Sequence, residues 1–307
     1  MSAPTRPPTT TAAQARVIDE VLAWGRPRPL APVGLVAALE ERLGAAITSG
    51  GDRAGASPVG RRVLGVRALV AAGTPGGQGP LVQDRATVRG ILLGRSFARD
   101  VERRHVGTPE RVVAAVADEL AAERPADPAS ASAWWNAAPP EVRAGLLAEI
   151  GDVLADVRML WPPLPGDHLD VSVRPQVRAS VAGGRVLLAA RPDLVLDSPR
   201  RDDRARALVI VTRTGMPRPV EDRALARASA LVHTLATGRP PFRWVVLHLT
   251  DGRLEVEELD PQVLADTAER MGTQVARSLA GPGQHAGGRD GDDDGDDRGD
   301  EHGGAQE

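Results

Sequence analysis

Three residue types are missing from this chain of 307 residues, and two of the absences close off whole classes of chemistry. Without cysteine there are no disulfides, no thiolate metal sites and no iron–sulfur clusters. Without lysine, every one of the 38 basic residues is an arginine, so no mechanism that needs an amine as base, Schiff base or phosphate-loop point charge is open. Tyrosine is absent too, and aromatic residues make up only 2% of the chain. No apolar run reaches the roughly eighteen residues a membrane span requires. The opening "MSAPTRPPTTTAAQ" has no apolar signal-peptide core, and a soluble cytoplasmic protein is expected. The six histidines (His105, His168, His233, His248, His285, His302) show no HxH or HExxH spacing, so no zinc site is expected. GxGxxG, P-loop and GxSxG patterns are likewise missing.

What the chain does have is alanine, glycine, proline and arginine in abundance, the mark of GC-rich coding, so most surface arginines are read as solvated. Its charge is uneven. Residues 281–307 carry nine acids and two arginines, a net −7, and subtracting that from the whole-chain −3 leaves +4 for residues 1–280. A mildly basic body permits nucleic-acid binding without arguing strongly for it.

Four stretches follow from composition and periodicity. Residues 1–11 read as a disordered Pro/Thr tail, 12–135 as a mainly helical region, 136–280 as a mixed α/β core and 281–307 as a disordered acidic Asp/Gly tail. Within the second stretch, helices are predicted near 12–24, 34–47, 84–104 and 109–123, the last capped by Thr108 ahead of Pro109. "RRVLGVRALVAAG" reads as a strand. A helix over 140–160 repeats Val142, Leu146, Ile150, Val153, Val157 and Leu160, and "WPPLPG" ends it. The pattern then changes. "LDVSVRPQVRASV" alternates as one strand, "GG" at 183–184 marks a hairpin, "RVLLAARPDLVLD" is its partner and "RALVIVTRT" a third strand. A helix over 219–237, a hairpin turning at "DG" and a helix over 260–279 complete an α-β-β-β-α-β-β-α order, a mixed sheet flanked by helices.

Three of these segments carry a family resemblance: "ARPDLVL" at 190–196, "LVIVTRTG" at 208–215 and "TGRPP" at 237–241. In their α-β-β-β-α-β context they resemble the RecB-like exonuclease branch of the PD-(D/E)XK nuclease superfamily, over about residues 165–260. "VRGILLGRSFARDVE" at 88–102 is similar, less closely, to the family's early helix. The resemblance implies a restriction-endonuclease-like αβββαβ core with added N-terminal helices. It places Asp193 at the first metal-binding acid, Val211 at the second acid and Arg213 at the catalytic lysine. Gly94 falls where the early helix supplies a histidine, and Leu225 and Ser229 fall near the Gln/Tyr positions of the later helix.

The departures point away from catalysis. Hydrolysis of a phosphodiester in this family is expected to use Mg²⁺ or Mn²⁺ held by converging carboxylates, which activates water. Valine cannot ligate a hard cation, and a permanently charged guanidinium cannot act as a base. Arg213 could instead contact phosphate or pair with Asp193 across neighbouring strands. The resulting expectation is a pseudo-nuclease: a degenerate site with Asp193 as vestigial metal ligand and Val211 and Arg213 beside it, no cofactor, and a binding or scaffolding role in nucleic-acid processing such as DNA repair. Its partners would be DNA or an active protein, with Arg191, Arg200, Arg201 and Arg213 as the nucleic-acid contacts. An active nuclease would need Mg²⁺ or Mn²⁺ and other acids, such as Asp197, Asp202 or Glu221. A protein-interaction module with no nucleic-acid role is the third reading.

Three further signals have plainer explanations. Asp290 to Glu301 satisfies an EF-hand loop pattern, but Asp297 occupies the apolar eighth place and the stretch is low in complexity, so an acidic tail is expected instead. Trp134 and Trp135 could stack on bases, but the pair is read as docking on the core. Arg103 and Arg104, like Arg200 and Arg201, could contact phosphates, although most surface arginines in so Arg-rich a chain are read as solvated.

Overall fold

The computed structural model describes residues 10–23, 26–51, 62–73, 84–124, 130–164, 169–197, 204–258 and 260–280. Both the acidic stretch 281–307 and the Arg200, Arg201 and Asp202 cluster lie outside the described residues, and most of the expected N-terminal tail does too.

Helix α1 (Ala12–Arg16) starts on a capping box between Thr11 and Gln14 and runs into a π-helical turn, Val17–Val21. Helix α2 covers Leu35–Gly51. The segment expected as one strand is divided: β1 holds only Arg62–Gly65, and α3 takes over at Val66–Gly73 with Val66 and Leu69 buried. Helix α4 (Arg85–Glu102) is capped by Asp84, and α5 (Pro109–Ala122) by Thr108 with Pro109 in its first turn. Trp134 and Trp135 lie on a short helix, α6 (Ala131–Ala137), where Trp135 is buried and Trp134 packs against the core. The 140–160 periodicity becomes α7 (Pro140–Leu160).

The next two long strands are each broken in two. The first gives β2 (Asp170–Val173) and β3 (Val177–Val181), and the second gives β4 (Val186–Ala190) and β5 (Leu194–Asp197). Val173 faces Leu194 and Val177 faces Ala190, so the breaks at 174–176 and 191–193 are equal in length and one antiparallel register survives both. Each break holds a proline, Pro175 or Pro192, which has no N–H to give a ladder. Opposed at one point of the hairpin, they bend it, and its two halves join different sheets. β3 and β4 pair with β1 in a three-stranded sheet, order β1-β4-β3. β2 and β5 begin a five-stranded sheet, order β2-β5-β6-β7-β8, completed by β6 (Leu208–Arg213), β7 (Arg243–His248) and β8 (Arg253–Glu258).

Helix α8 (Pro219–Thr237) crosses from β6 to the parallel β7 and ends at Gly238, whose φ of +77° is the left-handed conformation a helix end favours. Helix α9 (Pro261–Ala280) closes the described chain. The fold is a mixed α/β one with helices on both faces of the larger sheet. One core gathers α4, α5, α7 and the sheet face bearing Leu194, Leu208, Ile210, Val245 and Leu247. The other gathers α2, α3, α8 and α9 against Val195, Val209, Val211, Trp244 and Val246. Burial of these alternating strand residues on both faces is what the hydrophobic runs "LVIV" and "WVVL" require. Among the described residues no helix is long and apolar enough to cross a membrane.

Candidate functional site

The two strands singled out by sequence are neighbours. β5 runs antiparallel to β6, with Leu194 facing Ile210, and Asp193 is the residue just before β5 at this end of the pair. The Asp193 N–H donates to the Ile210 carbonyl (3.0 Å), and the Asp193 carboxylate accepts the Thr212 N–H at 2.7 Å. Val211, facing α8, is buried among Val195, Val209 and Val246. A carboxylate at that position would enter an apolar neighbourhood.

Arg213 does not pair with Asp193. Its Nε lies 2.5 Å from Oδ1 of Asp222, in the first turn of α8, as a close electrostatic contact rather than an aligned hydrogen bond. The other Asp222 oxygen accepts the Arg218 N–H (2.9 Å), so this one buried carboxylate ties β6 to the start of α8. The pairing expected across the strands fails for a simple reason. Asp193 is already held by a backbone amide, whereas Asp222 faces Arg213 from the helix packed on the same side of the sheet.

Helix α4 comes close to the strand end from the opposite face. A Cβ at Gly94 would stand 3.3 Å from Oγ1 of Thr212, and one at Gly90 only 2.5 Å from Oγ1 of Thr214. These two glycines, one turn apart, let the helix lie directly on Thr212 of β6 and on Thr214 just beyond it. The place expected for a histidine is therefore a site of close approach. Leu225 and Ser229, the other positions carried over by resemblance, are both buried on α8.

The remaining acids named from sequence are not brought to Asp193. Asp197 stands at the far end of β5, opposite Asp170, and Glu221 is paired with Arg218 at 3.2 Å. Among the described residues no three of His, Asp and Glu converge as a metal-binding group. The donor set at Asp193 does not suit a divalent cation: it offers one carboxylate, a valine on the neighbouring strand, and cationic side chains close by.

Those cations are what the sequence reading largely missed. Arg174, in the first break of the bent hairpin, has φ of +45°, a left-handed conformation that is strained for a side chain of this size. Its N–H donates to the Asp193 carbonyl (2.9 Å), and its own carbonyl accepts Nε of Arg191 at 3.4 Å. Burial of the Arg174 guanidinium, followed by the positive charges of Arg95 and Arg191, pulls its pKa down to about 10, with Asp193 and Glu123 opposing. Arg95 arrives from α4, where its Nη1 pairs with Glu123 at 2.5 Å. Of the arginines proposed from sequence, Arg191 belongs to this cluster and Arg213 is committed to Asp222. Two of the chain's eight Arg-Pro dipeptides, Arg174-Pro175 and Arg191-Pro192, place an arginine in each break, but the motif is too common in this sequence to single them out.

His248 was also passed over. It ends β7 in register with Arg213 and is buried, with Nε2 3.3 Å from Nη2 of Arg253 and 3.8 Å from Oε1 of Glu255. Its Nδ1 is buried with no hydrogen-bond partner among the described residues.

No family model and no curated protein matches this sequence. A solved structure described as "Crystal structure of SSO0001" is similar at a TM-score of 0.25 and 15% identity, over 76% of this chain and 83% of that one. Likeness at that level carries no functional inference.

Proposed function

We propose that the chain is a catalytically degenerate relative of the RecB-like PD-(D/E)XK nucleases, which binds nucleic acid, or supports an active partner protein, without cutting. One arrangement carries this reading. Asp193, the residue before β5, is held to β6 on either side of Val211, by its N–H on the Ile210 carbonyl and its carboxylate on the Thr212 N–H, while Arg213 is tied to Asp222; in the family the Asp193 and Val211 positions would carry two metal-binding acids and the Arg213 position a lysine. The guanidinium groups near this lone carboxylate would repel a divalent cation, and a valine offers no second ligand. An active nuclease built on Asp197 or Glu221 has less support, since the first lies at the other end of β5 and the second is engaged by Arg218.

Two measurements test the proposal together. Titrating Mn²⁺ into the full chain while following the free-ion electron paramagnetic resonance signal should show no stoichiometric uptake at millimolar protein. Labelled single-stranded and double-stranded DNA, titrated in EDTA over a range of salt, should bind with an affinity that falls as salt rises. One tight Mn²⁺ site removed by Asp193→Ala would overturn the degenerate-site reading. Absence of DNA binding even at low salt would leave only the protein-partner role.

A further inference from the structure

We infer that Arg95, Arg174 and Arg191 form a binding site for a phosphate group, and that the phosphodiester backbone of nucleic acid is what supplies it. The inference deepens the proposed function by naming where such a ligand would sit, and its nucleic-acid part rests on that reading.

The first argument is charge left without a partner. Several partly buried arginines have an assigned acid: Arg89 pairs with Glu149, Arg99 with Glu102 and Glu119, Arg158 with Asp100, Arg227 with Glu257 and Arg243 with Glu258. The Arg174 guanidinium makes no hydrogen bond or ion pair among the described residues, although it is half-buried. Arg191 spends its Nε on a carbonyl. Only Glu123, held by Arg95, and Asp193, held by the Thr212 amide, act against three positive charges. A half-buried cation without a counter-ion is costly, and an anion arriving from solution would relieve it.

The second argument is backbone geometry. Arg174 sits at a strained left-handed φ where glycine would be comfortable. The bend in the hairpin is what sets Arg174 and Arg191 side by side, and α4 brings Arg95 to them from another element. Strain of this kind persists where the surrounding fold fixes it, and it gathers at ligand sites. Guanidinium groups suit the ligand as well: their forked donors match the oxygens of a phosphate, and they remain charged at neutral pH.

The test uses the full chain, Arg174→Gln, Arg191→Gln and the double variant, with Arg16→Gln, whose charge is balanced by Glu20, as control. Two readouts are taken: Tm in inorganic phosphate against chloride at matched ionic strength, and affinity for a fluorescent single-stranded oligonucleotide across salt. Phosphate should raise Tm of the parent and the control but not of the double variant. The double variant should bind the oligonucleotide about tenfold or more weakly at low salt, with a salt slope about 1.4 units shallower. Arg174→Gln without ligand should keep or raise Tm, because it removes an uncompensated charge; a large loss would mark the side chain as structural and overturn the inference. A phosphate-specific Tm shift that the variants abolish, with no oligonucleotide binding, would support the anion site and refute nucleic acid as its source. Oligonucleotide binding unchanged in the double variant, with no phosphate shift, would refute the site while leaving the proposed function standing.

Discussion

Breaking the Arg213–Asp222 pair one side at a time separates a structural role for Arg213 from a catalytic one. The two side chains are 17% and 4% exposed, so each would leave the other charge stranded away from water. Removing one member of such a pair costs about 3–5 kcal/mol. Asp222→Ala belongs at the lower end, about 3 kcal/mol, because some water still reaches the guanidinium. It also deletes the acceptor of the Arg218 N–H at the start of α8, worth about 1 kcal/mol. Arg213→Met belongs higher, about 4 kcal/mol, since the Asp222 carboxylate is nearly sealed. The double variant Arg213→Met/Asp222→Leu removes both charges and should lose only about 1–2 kcal/mol, mostly that backbone hydrogen bond. Urea unfolding followed by circular dichroism measures all three, and Arg213→Met alone should drop Tm by roughly 10 °C. If the two single losses simply add in the double variant, or if Arg213→Met is neutral, the pair is not what holds β6 to α8.

Three other perturbations follow from the packing and charge. Asp100 is fully buried; burial by itself pushes its pKa up, but hydrogen bonds from His105 and Arg158 outweigh that and hold it below the usual carboxylate value. Its stabilisation is therefore full above the unfolded value of about 3.9 and is lost as pH falls through the lower folded value. Asp100→Asn should cost about 3 kcal/mol at pH 7 and progressively less below pH ~4 in urea titrations. His233 has its pKa lowered by burial, with Asp197 opposing, so the folded state favours the neutral ring. Stability should then decline as pH drops below the unfolded value of about 6.5, and His233→Gln should flatten that decline in Tm between pH 7 and pH 5. A Cβ at Gly272 of α9 would stand 2.5 Å from Cβ of Ala46 and 2.9 Å from the Leu43 carbonyl of α2. Gly272→Ala should cost about 1–3 kcal/mol, and Ala46→Gly in the same chain should recover part of it, since the carbonyl contact remains.

Helices with strong end signals were legible from sequence. Thr108 before Pro109, the 140–160 apolar repeat ended by "WPPLPG", and the helix expected over 219–237 match α5, α7 and α8. "RRVLGVRALVAAG" was not, because a short apolar run fits a strand and a helix equally well and only the contacts of Val66 and Leu69 decide. The bent hairpin was hidden for another reason. Apolar alternation passes unbroken through Arg174 and Pro175, so periodicity gives no sign that the two halves enter different sheets. At the candidate site, the adjacency of Asp193 and Val211 was foreseeable from strand order, but the partner of Arg213 was not. Asp222 meets it only through the way α8 packs on the sheet, which local sequence does not encode. Arg95 was invisible for the same reason, since α4 and the hairpin are far apart in the chain.

The central claim, a nuclease-like frame that does not cut, is tested most directly by incubating the full chain and Asp193→Ala with end-labelled single-stranded and double-stranded DNA, in Mg²⁺ and separately in Mn²⁺. The account predicts that neither protein shortens either substrate beyond the protein-free control. Cleavage by the parent chain that disappears in Asp193→Ala would contradict it.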